Sequence, residues 1–250
     1  MMMNYMKSEN YRLLRKKSLY VTSVIGLLCI TVAATVLHFA QQNDPNFPYG
    51  TSQFFYSNVV SAGFLIMIVG LLFNVALTGK DTALLKQSVS FGISRNTIFW
   101  SKLLLTLLYF MLLCVIGLAL TIALGESLFA NEEQSALYFL IACVNMVPIV
   151  ISGFFIIHAL RMGKVGEIYI IMTLLFLFFL SGDLLRILFR SVTGLHELYL
   201  YAPSTLLNEN LMSYIGQGAQ LDYRYWITGI VISVLSLLIG ARKFTTQTID

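Results

Sequence analysis

Four stretches of this chain, 19–40, 54–79, 103–125 and 136–160, contain no Asp, Glu, Lys or Arg and are dominated by apolar residues. A helix crosses the hydrocarbon of a bilayer in roughly 20 residues, and each stretch exceeds that length. Lipid offers a bare backbone no hydrogen-bond partner, so crossing segments close their own ladders as helices or belong to a closed barrel. Continuous apolar runs of this length lack the two-residue alternation of a barrel strand and read as helices. Two further runs, 168–182 and 225–241, are shorter and draw on neighbouring residues to form spans over 168–189 and 223–241. The expectation is an all-α, polytopic membrane protein with six transmembrane helices and a single transmembrane domain over 1–250. At 58% hydrophobic and 11% charged residues, the chain lies far from soluble domains, where about a quarter of residues are charged.

Charge placement orients the bundle. Lys7, Arg12, Arg15, Lys16 and Lys17 precede the first span, and Lys80, Lys86, Arg95 and Lys102 lie between the second and third. Arg161 and Lys164 follow the fourth, and Arg242 and Lys243 follow the sixth. Thirteen of the sixteen basic residues thus fall on one side, the exceptions being Arg186, Arg190 and Arg224. The positive-inside rule makes that side cytoplasmic, with both termini inside. The first apolar run is preceded by basic residues, as in a signal peptide, but its 22 residues exceed the usual apolar region of one, so it reads as a retained span.

Few motifs carry chemistry. Gly79-Lys80 is followed by Asp81, so no phosphate-binding G-x-x-x-x-G-K-[ST] loop is present, and no ATP hydrolysis by that route is expected of this chain. Glu132 and Glu133 lie in a loop without an acidic partner for proteolytic chemistry. His38, His158 and His196 lack ligand spacing and read as interfacial or span-end residues. Cys29, Cys114 and Cys143 all fall in spans as small apolar residues, with no disulfide framework. Asn74, Asn145 and Pro148 either line a path or join helices.

Between the spans, residues 5–17 suit a short cytoplasmic surface helix whose Lys and Arg reach headgroups, or equally a plain basic flank. The loops at 41–53 and 126–135 are too short for an external domain. From 183 the pattern changes: Asp183 and Arg186 stand at i, i+3, and Arg190 follows a turn later. Ionisable groups at membrane depth point to function, here an external gate or interface. The uncharged run before Asp183 is only 15 residues long, which equally makes it the headgroup boundary. Glu167 has Lys164 three residues before it as an expected partner. The region 191–222 reads as an external re-entrant or interfacial element. In it, Pro203 opens a helix carrying Leu207, Leu211 and Tyr214 on one face, and Gly216 stops it.

The stretch "GKDTALLKQSVSFGISRNTIFWSK", Gly79–Lys102, is polar yet periodic. A helix over 82–91 places Leu84, Leu85, Ser88 and Phe91 on one side, with Lys86, Gln87 and Ser90 opposite. Gly92 ends it, and Ser94 caps a helix that carries Arg95 and Lys102 into the third span. Its apolar face is satisfied either by a groove on another protein or by the bilayer surface.

Six spans with both ends inside, "KSENYRLLRKK" before the first, and "LLKQSVSFGISRNTIFWSKLLL" between the second and third resemble the membrane subunit of type 2 ABC exporters. The nearest group is the small permeases of bacterial peptide export and lantibiotic self-protection. Ser94, Arg95, Ile98, Phe99 and Lys102 match the Ser-Arg, hydrophobic-pair and Lys pattern of such proteins, and "LYLYAPSTLL" with Pro203 resembles their apolar-Pro element before the last span. The resemblance covers the whole chain in topology, through short, degenerate motifs. It implies that 82–95 is a coupling helix seated on a separate cytoplasmic ATP-binding cassette subunit, with Leu84, Leu85, Lys86, Ser88, Phe91, Ser94 and Arg95 carrying the contact. It also implies ATP and Mg on that partner, no cofactor or metal on this chain, a second permease copy or a paralogue, and an amphiphilic, peptide-like substrate exported across a bacterial cell membrane. No nucleic-acid partner and no catalysis by this chain are expected. Two rivals stand beside it. One is an ion-driven carrier or channel, which ordinarily wants paired carboxylates or broken helices near the midplane. The other is a non-transporting sensor or assembly factor.

Overall fold

The chain, as a computed structural model, is described at residues 2–44, 47–79, 82–130, 132, 134–192 and 194–247. A short helix α1 (Met2–Leu14) leads into α2 (Lys17–Asn43), followed by the pair α3 (Ser52–Ser61) and α4 (Gly63–Thr78). The short α5 (Thr82–Ser90) then connects to α6 (Arg95–Leu128) and α7 (Ser135–Met162). Next come α8 (Glu167–Leu175), a π turn at Phe176–Leu180 and α9 (Ser181–Leu188), then a 3-10 turn at His196–Tyr201, α10 (Pro203–Ile215) and α11 (Tyr223–Thr246). Among the described residues there is no β-strand, only a bridge joining Thr51 to Ala130. The protein is all-helical and membrane-embedded in character. Five helices are long and apolar enough to cross a bilayer, counting Glu167–Leu188 as one, and a sixth crossing requires α3 and α4 to act together.

The bundle is built around α4 and α7, the most deeply buried of the long apolar helices. Gly70 meets Phe154 and Gly153 meets Met67 at ring or side-chain contact distance, so α4 and α7 run in the same direction. Against the other side of α7 lies α11, also parallel and closer still. A Cβ on Gly229 would stand 2.6 Å from the Pro148 carbonyl oxygen, and one on Gly240 would stand 2.5 Å from Ala159 Cβ. Small residues at helix crossings let backbones approach where lipid supplies no hydrophobic drive. Phe110, Phe154 and Phe73 fill the middle of the core, with Phe110 and Phe154 stacked at 5.1 Å. By contrast α2 is peripheral, burying only Leu19 and Ala34.

Two interruptions depart from the continuous spans expected at 54–79 and 168–189. The α3–α4 pair bends by 53° at Ala62. Ser57 and Asn58 side chains both donate to the Phe54 carbonyl and Ser61 to that of Asn58. Such back-bonding, next to Gly63, is a recognised cause of helix bending. In the fifth span, the Ser181 hydroxyl donates to the Leu177 carbonyl and the Gly182 N–H donates to Ser204 Oγ at 2.7 Å. The π turn sits where that neighbouring helix intrudes. A Cβ at Gly182 would lie 2.3 Å from Thr205 Oγ1, so only glycine lets α9 and α10 meet here.

Candidate functional site

The basic residues gather at one end of the bundle, formed by α1, α5 and the C-terminal ends of α4, α7 and α11. Helix α1 is docked there rather than floating on a surface: Leu13 is fully buried, and Tyr5 and Glu9 nearly so. The Tyr5 hydroxyl bonds with Glu9 and with Ser88 of α5. Burial, reinforced by the Glu9 charge, raises the Tyr5 phenol above its ordinary value and keeps it a neutral donor. Arg12 pairs with Glu9 at 2.6 Å and reaches the Leu77 carbonyl at the end of α4. Buried Lys102 donates to the same carbonyl at 2.6 Å. Cations at a helix C-terminus satisfy carbonyls that have no helical partner. One turn deeper, His158 is fully buried, bridging Asn74 of α4 and the Phe99 carbonyl of α6. His158 and Asn74 therefore tie three helices together, and His158, one turn from the end of α7, is a buried joint there.

Helix α5 sits on this end with two distinct faces. Leu85 and Val89, with Ile93, pack on the cluster of Tyr5, Ile98, Phe99, Met162 and Phe244. Leu84 and Phe91, seven residues apart, point away from the bundle and are 42% and 69% exposed. Lys86 is exposed and Ser88 half-buried between the two faces. The face expected from sequence thus splits, because Leu85 faces inward and leaves Leu84 and Phe91 outside. The junction to α6 is rigid. Gly92 takes φ +80°, a left-handed value suited to glycine, and Ser94 caps α6 by accepting from Thr97 N–H at 3.1 Å. Arg95 donates to the carbonyls of Thr245 and Gln247, fastening the start of α6 to the end of α11. Ile98, Phe99 and Lys102, the rest of that pattern, are all buried. Lys80 and Asp81, at the start of the connection, lie outside the described residues, as does Glu133 at the opposite end.

That opposite end holds a cleft of about 550 Å³ between the α3–α4 bend, the π turn and α10. Asp183 and Arg186 both line it, and the Arg186 guanidinium lies over the Tyr199 ring at 4.6 Å. Arg190 falls in the turn beyond α9 and does not line the cleft. Pro203 is buried as the first residue of α10 and does not line the cleft. Behind it a polar knot closes the bundle. Asn145 donates to the Gln220 carbonyl and accepts from Asp222 N–H, while Asn210 donates to the Ala142 carbonyl. Arg224 pairs with Asp222 at 2.7 Å and with Glu209 at 2.9 Å. Asn145 is thus a joint between helices. Glu167 pairs with Arg161 at 3.4 Å, not with Lys164, whose backbone takes the left-handed φ of 60°.

Sequence spacing alone places Glu9 three residues before Arg12, the pair that forms, but sequence reasoning missed Tyr5, Tyr199 and Glu209. For Tyr5 a signal existed, since Tyr5, Glu9 and Leu13 recur at four-residue spacing. For Tyr199 and Glu209 none did, because their partners are 13 and 15 positions away across turns. Among the described residues, no group of three His, Cys, Asp or Glu side chains is arranged to hold a metal. Taken together, fold and site define a polytopic helical membrane protein with a clamped amphipathic helix at one end and a charged cleft at the other. No protein-family model matches the chain, and no curated protein matches it.

Proposed function

We propose that this chain is the membrane subunit of an ATP-driven exporter, with α5 as the coupling helix that docks on a separate cytoplasmic ATP-binding subunit. The observation that carries the reading is the division of α5: Leu85 and Val89 lock it to the bundle while Leu84 and Phe91 project from it. A nine-residue helix packed on the bundle, held at its C-terminal end by the turn at Gly92 and the cap at Ser94, and presenting its own apolar face suits a partner's groove. On this reading the bent α3–α4 pair counts as one span, giving six, and the basic end is cytoplasmic. Two copies, or this chain and a paralogue, form the path in a bacterial cell membrane. ATP and Mg belong to the partner. The substrate is amphiphilic, a peptide by the family resemblance, and export of a toxic peptide makes the system one of self-protection.

The test is purification from the native host in mild detergent, with the ATP-hydrolysing chain that accompanies it identified and assayed. Covering a partly exposed Leu and Phe contributes roughly 1–2 kcal/mol each, so Leu84→Ala with Phe91→Ala weakens docking roughly 30- to 1,000-fold. The expected result is a normally inserted permease that loses both the ATPase and transport. An amphipathic helix lying on lipid instead leaves the complex intact. Wild-type protein that purifies without any ATPase, or a double variant that keeps ATPase and transport, overturns the assignment.

A further inference from the structure

We propose that the cleft between the α3–α4 bend and α9–α10 is a binding site for one zwitterionic phospholipid, its phosphate on Arg186 and its amine on Asp183. The inference goes beyond the exporter reading and does not depend on it. Three observations carry it. First, the charges of the cleft are sorted. Glu209 already has a partner in Arg224 at 2.9 Å, which it shares with Asp222, whereas among the described residues neither Asp183 nor Arg186 makes an ion pair, although they stand three residues apart on α9. Arg186 is held by the Tyr199 ring at 4.6 Å, a contact to its face that leaves the N–H edge for an anion. One carboxylate and one guanidinium a turn apart on a helix match the short phosphate-to-ammonium spacing of an ethanolamine headgroup, with one charge of each sign on both sides.

Second, the cleft is amphipathic in the required sense. Phe64 and Phe179 meet edge to face at 5.0 Å on its apolar wall, and Phe179 and Leu180 are 55% and 51% exposed on the outer surface of the bundle. Acyl chains reach this wall directly from the bilayer. Third, the α3–α4 bend and the π turn both border it. Broken helices at membrane depth are tolerated where they line a cavity, and π turns are frequent at functional sites. The headgroup charges fall at the end of a 22-residue apolar helix, Glu167–Leu188, the level at which phospholipid headgroups lie.

The full chain, purified in maltoside detergent and stripped of lipid, is exchanged with equal amounts of dioleoyl phosphatidylethanolamine and dioleoyl phosphatidylglycerol, and bound lipid is read by native mass spectrometry. Wild type is expected to retain phosphatidylethanolamine over phosphatidylglycerol. Asp183→Asn lowers phosphatidylethanolamine retention about tenfold without loss of phosphatidylglycerol, and Arg186→Gln lowers both about tenfold, as expected for charge-assisted hydrogen bonds. Asn208→Trp fills the cleft from an exposed position in its lining and excludes both lipids without touching a buried group, so the site is tested even where a charge variant fails to fold. Soluble glycerophosphoethanolamine, which lacks chains, is expected not to compete. Equal retention of the two lipids by wild type, or phosphatidylethanolamine retention unchanged in all three variants, overturns the proposal. Displacement by glycerophosphoethanolamine overturns the bilayer as source. Displacement by dodecylamine that is indifferent to Arg186→Gln reduces the cleft to a cation site and overturns the zwitterion.

Discussion

Arg224 joins two carboxylates at the end of the bundle opposite the basic residues, and the consequences are readable at single positions. Partial desolvation opposes ionisation of Asp222, but the side chain and backbone N–H of Arg224 outweigh it and hold the carboxyl below its ordinary value. A carboxyl lowered on folding stabilises the native state fully above its unfolded value, about 3.9, and loses that contribution as pH falls through the folded one. Asp222→Asn is therefore expected to cost about 1 kcal/mol at neutral pH. The gap in thermal midpoint between wild type and variant should close below about pH 4. Midpoints measured from pH 7 to pH 3 check this, and a gap that persists at the acid end refutes the pairing as its cause. Lys102 illustrates the opposite case, a charge the sequence places at the start of a span and the fold draws inward onto the Leu77 carbonyl.

At the scale of elements, the closest contact is between α7 and α11. Gly229 and Gly240 are eleven residues apart, as are their counterparts Pro148 and Ala159. Both glycines are required by backbone proximity, not by conformation. Gly240→Leu is expected to push the helices apart, with overpacking costs of roughly 1–3 kcal/mol, seen as a lower thermal midpoint. Gly166→Ala, whose added Cβ meets only the Tyr169 ring at 3.5 Å, serves as the control. An unaffected Gly240→Leu variant contradicts the packing. These elements differ in how far the sequence discloses them. The cap at Ser94, the turn at Gly92 and the limits of α10 at Pro203 and Gly216 are local, and residue type alone indicates them. The 53° bend and the π turn are not local. The π turn adjoins a hydroxyl 22 positions downstream, and the bend sits in an apolar run whose serines look like ordinary span residues. Likewise the cleft joins residues from four segments, of which sequence indicated Asp183 and Arg186 as charges and Leu207 and Leu211 only as one face of a helix. The outward face of α5 was half legible, since the helical period finds Leu84 and Phe91 but does not say which neighbouring Leu faces the bundle.

For the whole molecule, the two ends of the bundle differ in charge and in construction, and their sidedness is open to direct measurement. In a background lacking Cys29, Cys114 and Cys143, single cysteines at exposed Asn43 and Gln217 are expected to react with an impermeant maleimide added to intact cells. Those at Lys86 and Lys164, also exposed, should react only after permeabilisation. Labelling of Lys86→Cys from outside inverts the molecule and removes the docking role of α5. The matched glycine contacts bear on motion between these ends. Sliding α11 along α7 by one residue sets Ile230 against Pro148 and Ala241 against Ala159, where there is no room for a side chain. The two helices therefore resist sliding as a single beam, its tip at the basic end fastened to α6 through Arg95. The kink at Ala62 and the π turn before Ser181 lie on the other flank of α7, on either side of the cleft, so the breaks in helical continuity fall in the part of the bundle that this beam does not brace.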